Sequence, residues 1–153
     1  PARRSAGARL GNAAAPSPGG RWLASASDRS RRRGVYLRPV DGNGDQWQVS
    51  RGGGTEPVWA PDGRELYYRG YRRGQTVLIA ATLRTMPDLA VISQRVLVPV
   101  ADMVGTAPHA NFDISPDGRT FAMVRRSPGT RIVVIQNRAA MLRRLRSTTG
   151  SER

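Results

Sequence analysis

The phrase Pro-Asp-Gly-Arg occurs twice, in "APDGRELYYR" at 60–69 and in "SPDGRTFAMVR" at 115–125. Each time it runs straight into a short alternating apolar stretch. A blurred third copy, "SPGGRWLASA", stands at 17–26. Pro18, Pro61 and Pro116 lie 43 and 55 residues apart, a spacing that suits propeller repeats and is too long for simple hairpin repetition. The chemistry of the phrase explains its place. Proline fixes φ and has no N–H, which suits the first central position of a tight turn. Aspartate accepts hydrogen bonds from nearby backbone N–H groups, and glycine supplies positive φ. Pro18, Pro61, Asp62, Gly63, Pro116, Asp117 and Gly118 are therefore expected to build hairpin turns, with Gly19 replacing the aspartate in the first copy.

The flanks agree with strands. Short apolar pieces precede the turns at 56–60 and 111–115, and "RELYYR" and "RTFAMVR" follow at 64–69 and 119–125. A further strand is predicted in each unit, at 34–40, 76–83 and 131–136, and a fourth in two units, at 46–50 and 94–100. In "TVLIAATL" both alternating sets are apolar, so that strand should be covered on both faces, as in stacked four-stranded blades. Loops are expected at 40–46, 51–57, 69–75 and 126–131, with a longer connection over 85–93.

The expected fold is all-β: a partial propeller of about three antiparallel four-stranded blades with a short C-terminal helix. Its divisions are a disordered basic segment over 1–12 and blades over 13–50, 51–100 and 101–136, the last with three strands. The helix follows over 137–146, where Met141, Leu142 and Leu145 have helical spacing, and a frayed tail over 147–153. Three such blades fall short of the roughly four to eight of a closed ring. With open sheet faces left at its ends, the chain is expected to be either the C-terminal fragment of a longer propeller or a self-associating one.

These phrases carry a resemblance. Over roughly residues 13–146 the chain resembles the WD-repeat-like "SPDG" propeller repeats of TolB-like proteins. "GGGTEPVWAPDGRELYYR" and "NFDISPDGRTFAMVR" are similar to the C-terminal propeller segment of bacterial serine/threonine-kinase-linked proteins. The resemblance implies a non-catalytic module for protein interaction or sensing, on the periplasmic or extracytoplasmic side. An accessory propeller of a prolyl-oligopeptidase-type hydrolase is the alternative from another class.

Charge raises a third reading. All 25 basic side chains are arginine, against 11 acids, for a net charge of +14. A coding bias towards arginine explains the missing lysine more simply than a phosphate-binding surface does. The charge still attracts polyanions, so non-specific, salt-sensitive binding of nucleic acid is expected. Interleaved Tyr67, Tyr68 and Tyr71 with Arg69, Arg72 and Arg73 invite the same thought, but no nucleic-acid motif accompanies them. Arg69, Tyr71, Arg72 and Arg73 are read as a loop cluster that contacts a protein partner.

Chemical centres are weakly represented. Without lysine the chain lacks the phosphate-binding side chain of kinases and Walker-type enzymes. His109 is the single histidine, and no Gly-x-Ser-x-Gly elbow accompanies it. Asp41, Asn43 and Asp45 open like a calcium loop, but Gln46 stands where glycine is needed and Gly52 where the bidentate glutamate belongs. No catalytic residue, cofactor site or metal site is assigned. There is no cysteine, and no apolar run long enough to cross a bilayer as a helix.

Overall fold

The computed structural model describes residues 14–28, 32–105, 109–126 and 131–135, the last by backbone alone. Among the described residues all regular structure is β. The expected basic segment at 1–12 and the helix at 137–146 fall outside the described residues. Eleven strands form three antiparallel sheets in chain order. The first joins β1 (Ala14–Pro16), β2 (Trp22–Ser27), β3 (Gly34–Pro39) and β4 (Trp47–Gln48). The second joins β5 (Gly54–Trp59), β6 (Glu65–Arg72), β7 (Gln75–Arg84) and β8 (Ala90–Pro99). The third joins β9 (Phe112–Ile114), β10 (Phe121–Arg125) and β11 (Arg131–Ile135).

Each Pro-x-Gly phrase folds into the same turn. Gly20, Gly63 and Gly118 have φ of 68°, 69° and 70°. Their N–H groups donate to the carbonyls of Ser17, Ala60 and Ser115 at 2.8, 2.9 and 2.8 Å. The side chains that lock the turn differ by unit. The first uses Ser17, whose Oγ accepts the Trp22 N–H at 3.0 Å. The second uses Asp62, whose Oδ1 accepts the Arg64 N–H at 3.0 Å. The third uses both kinds: Asp117 accepts the Arg119 N–H and Ser115 Oγ accepts the Thr120 N–H, each at 3.0 Å. A side chain at Gly63 would touch Pro18, and one at Gly118 would touch Pro61, so successive turns lie side by side.

The Ser115 hydroxyl, and after it the Arg119 N–H, hold the Asp117 carboxyl below the ordinary carboxylate range. A folded-state value below the unfolded one stabilises the fold above the unfolded pKa. That contribution is lost as pH falls through the folded value. Asp117→Asn should therefore flatten the acid limb of a stability-versus-pH curve. Urea midpoints across the carboxylate range check this, and an acid limb identical to that of the parent chain would contradict it.

The second sheet is sandwiched, as its two-sided apolar pattern requires. Alternate residues Leu66 and Tyr68 of β6, with Val77, Ile79 and Ala81 of β7, pack on Ala24, Val35 and Leu37 of the first sheet. The intervening set, Tyr67, Leu78 and Ala80, packs on Phe112, Phe121 and Met123 of the third. Trp59 ties the first seam further, its Nε1 donating to the Ala15 carbonyl at 3.0 Å. Tyr67 and Phe121 meet edge to face across the second, with ring centroids 4.9 Å apart.

Several expected loops are strand instead. β6 runs on through Arg72 and meets β7 at a two-residue turn, Arg73-Gly74, with φ of 49° and 77°. Both positive φ values fit the hairpin turn whose twist matches its flanking strands, although a non-glycine residue takes the first position. β5 begins at Gly54, where an added Cβ would stand 2.8 Å from the Tyr68 ring, so the close packing there needs glycine. β8 begins at Ala90, shortening the expected 85–93 connection. Its pairing with β7 absorbs register shifts at Leu78/Ile79 and Thr82/Leu83.

Candidate functional site

Antiparallel order divides the connections between two ends. The Pro-x-Gly turns and the β3–β4 and β7–β8 links share one, the turn end. The β2–β3, β4–β5, β6–β7 and β8–β9 connections share the other, the loop end. At the loop end a hollow of about 550 Å³ is walled by Arg32 and Arg33 of the first sheet, Thr55, Glu56 and Tyr71 of the second, and His109 ahead of the third. A second hollow of about 180 Å³ shares Thr55, Glu56, Tyr71 and Gly105 with it and extends to Arg126, just past β10. Together they form a groove across all three sheets. His109 also borders a larger, mostly apolar hollow of about 780 Å³ along the inner strands, lined by Ala15, Pro57, Trp59 and Phe112 among others.

The groove floor is a buried ion pair. Arg69 and Glu56 are 7% and 5% exposed. Arg69 Nη1 stands 3.5 Å from Glu56 Oε1. Arg69 Nη2 donates to the carbonyls of Val100 at 2.9 Å and Met103 at 3.1 Å, and Nη1 donates to that of Val104. Glu56 Oε2 accepts the Asn111 N–H at 2.8 Å. One pair thus fastens the β8–β9 connection to the second sheet. Glu56 sits at φ 56°, where β5 slips register between Thr55 and Val58, a costly conformation for a side chain with a Cβ. That irregularity turns its carboxylate towards Arg69.

This corrects the reading of the arginine cluster. Arg69, expected in a loop and facing a partner, alternates with Tyr67 on the covered face of β6 and is internal. Arg72 is half-buried and lies against its own sheet, donating to the Arg51 carbonyl at 2.9 Å and to Gln94 Oε1 at 3.2 Å. Tyr71, 57% exposed, and Arg73 do face outward, and Tyr71 walls the groove. Glu56 was not singled out in the sequence, and its only signal was an acid placed between glycines and a proline. At the opposite end, Asp41 Oδ1 accepts the Asn43 N–H at 2.9 Å, which makes the Asp41–Asp45 stretch a self-bonded turn.

The two ends differ in charge. At the turn end Arg21, Arg38, Arg64, Arg84 and Arg119 are matched by Asp41, Asp45, Asp62, Asp88 and Asp117. The loop end carries Arg32, Arg33, Arg51, Arg72, Arg73, Arg125 and Arg126 beside the buried Arg69. Its described acids are Asp28, Asp102, which accepts from Arg125 Nε at 2.8 Å, and Glu56, which Arg69 occupies. Physical reasons sit close by. The turn end builds its turns with aspartate, whereas the loop end uses Gly52, Gly53 and Gly74 at positive φ and gains no carboxylates.

No family model and no curated protein matches the chain. Solved structures do. The chain is similar to a putative TolB from Agrobacterium tumefaciens, at 20% identity and a TM-score of 0.59, over 79% of this chain and 40% of that one. It is similar to TolB from Acinetobacter baumannii at 16% identity and a TM-score of 0.61, over 85% of this chain and 31% of that one. The fold is that of a β-propeller segment of the TolB kind. The chain spans less than half the length of either. An isopeptidase, AtxE2, matches at 17% identity and a TM-score of 0.44, over 75% of this chain and 20% of that one, too low to carry an argument.

Proposed function

We propose that the chain is a non-catalytic propeller segment that acts as a protein-interaction or sensing module and binds through its loop end. The observation that carries this reading is the groove itself. Loops from all three sheets converge on it, and a stacked β scaffold holds them, the usual way in which rigid folds present binding loops. Its exposed residues include Tyr71, Arg32 and Arg33, of the two residue types enriched at protein interfaces. The resemblance of the turn phrases to those of kinase-linked propellers favours a sensing context. A closed ring uses about four to eight blades, so further blades, from a longer chain or from a second copy, belong to this proposal.

A photoreactive amino acid placed at Tyr71, and in a separate variant at Arg64 on the turn end, tests the reading in cells. Covalent protein adducts are expected from position 71 and not from position 64. Adducts from position 64 alone, or none from position 71 in folded protein, would overturn it.

A further inference from the structure

The groove is walled by cations at both of its ends and is closed to the obvious internal anion. Glu56, the carboxylate within it, is already engaged by Arg69 and the Asn111 N–H. Arg33 borders it from the first sheet and Arg126 from the third, both exposed, with exposed Tyr71 between. A coding bias explains why these residues are arginine rather than lysine. It does not explain why acids balance arginines at the turn end and not here. Clefts lined by one sign of charge focus the field and gather ligands of the other sign.

Three polyanions compete for such a groove. A membrane surface would want apolar side chains beside the cations. The exposed large apolar residues Val40, Trp47 and Met86 lie at the turn end, and Ile92 and Val96 on the outer strand β8, leaving Tyr71 as the described one at the loop end. Single-stranded nucleic acid wants successive aromatic platforms, and one exposed ring does not supply them. An extended peptide needs neither. Its carboxylates meet arginine in the planar, two-bonded geometry that guanidinium favours.

We infer that the groove binds an acidic, extended segment of a protein partner, with its carboxylates facing Arg33 and Arg126 and its chain crossing Tyr71. The inference rests on the interaction-module reading and adds the chemistry of the partner. His109 offers a direct reporter, since it is the single histidine of the chain and lines the same groove.

The test is a proton NMR titration of the His109 ring in the full chain. The probe is a short capped peptide of alternating glutamate and serine, with its glutamine counterpart as control. The acidic peptide should shift the His109 signals saturably at physiological salt. Arg33→Glu with Arg126→Glu should weaken binding about tenfold or more. The milder Arg33→Gln with Arg126→Gln should weaken it about threefold, which covers a failure of the first pair to fold. Arg64→Glu with Arg119→Glu changes net charge equally at the turn end and should leave binding unchanged. Equal losses from both charge-reversed pairs would overturn the inference, because bulk charge would then explain the binding. Equal binding of the glutamine peptide would also overturn it while leaving the interaction module standing. Displacement of the peptide by oligothymidylate at lower concentration would overturn both readings.

Discussion

Replacing Arg69 with alanine should destabilise the chain by about 3–5 kcal/mol, the cost of leaving one partner of a buried ion pair behind. The substitution strands the Glu56 carboxylate, 5% exposed, together with the carbonyls of Val100, Met103 and Val104. Glu56→Gln should cost less, about 1–2 kcal/mol, because its amide oxygen can still accept the Asn111 N–H and Arg69 keeps its carbonyls. Gly105 gives an internal control. A Cβ there would stand 2.2 Å from Arg69 Nη1, and a guanidinium held by three carbonyls has little freedom to yield. Gly105→Ala should therefore be harmful in the parent chain and nearly neutral once Arg69 is alanine. Urea unfolding of the four proteins in that cycle measures the coupling. Additive losses would contradict the latch.

Phe121→Ala should also cost about 3–5 kcal/mol, by the usual penalty for emptying a large core site. Phe121 is 1% exposed and fills the seam between the second and third sheets, edge to face with Tyr67 at an interplanar angle of 89°. Neither neighbouring sheet can close the void without moving its own strands. Phe121→Leu should recover more than half of the loss by refilling most of that volume. Equal urea midpoints for the alanine variant and the parent chain would show that the seam is not closed as described.

What was legible in the sequence was local chemistry. Proline, aspartate and glycine at fixed offsets specify a turn within four residues, and that turn recurs with almost the same φ at Gly20, Gly63 and Gly118. The two-faced apolar pattern of β7 likewise announces a strand covered on both sides, and its alternate residues do divide between the two seams. What was missed depends on partners far along the chain. "RGYRRGQ" at 69–75 looks like a loop until β7 pairs with it through Arg72, and Arg69 looks like surface charge until the 100–104 carbonyls come to meet it. Its alternation with Tyr67 was the one available clue. The groove was illegible for the same reason, since its walls come from segments as distant as Arg32 and Arg126.

A groove built from three sheets exists only while the sheets hold together, so their cooperativity is the point to measure. Native-state hydrogen exchange in increasing urea resolves it strand by strand. Amides of β6 and β7 should exchange only on global unfolding, and those of β2, β3 and β10 should open in the same event with the same dependence on urea. Exchange of β10 by a separate opening of much lower free energy, while β6 and β7 stay protected, would contradict a single three-sheet body and remove the scaffold on which the groove depends.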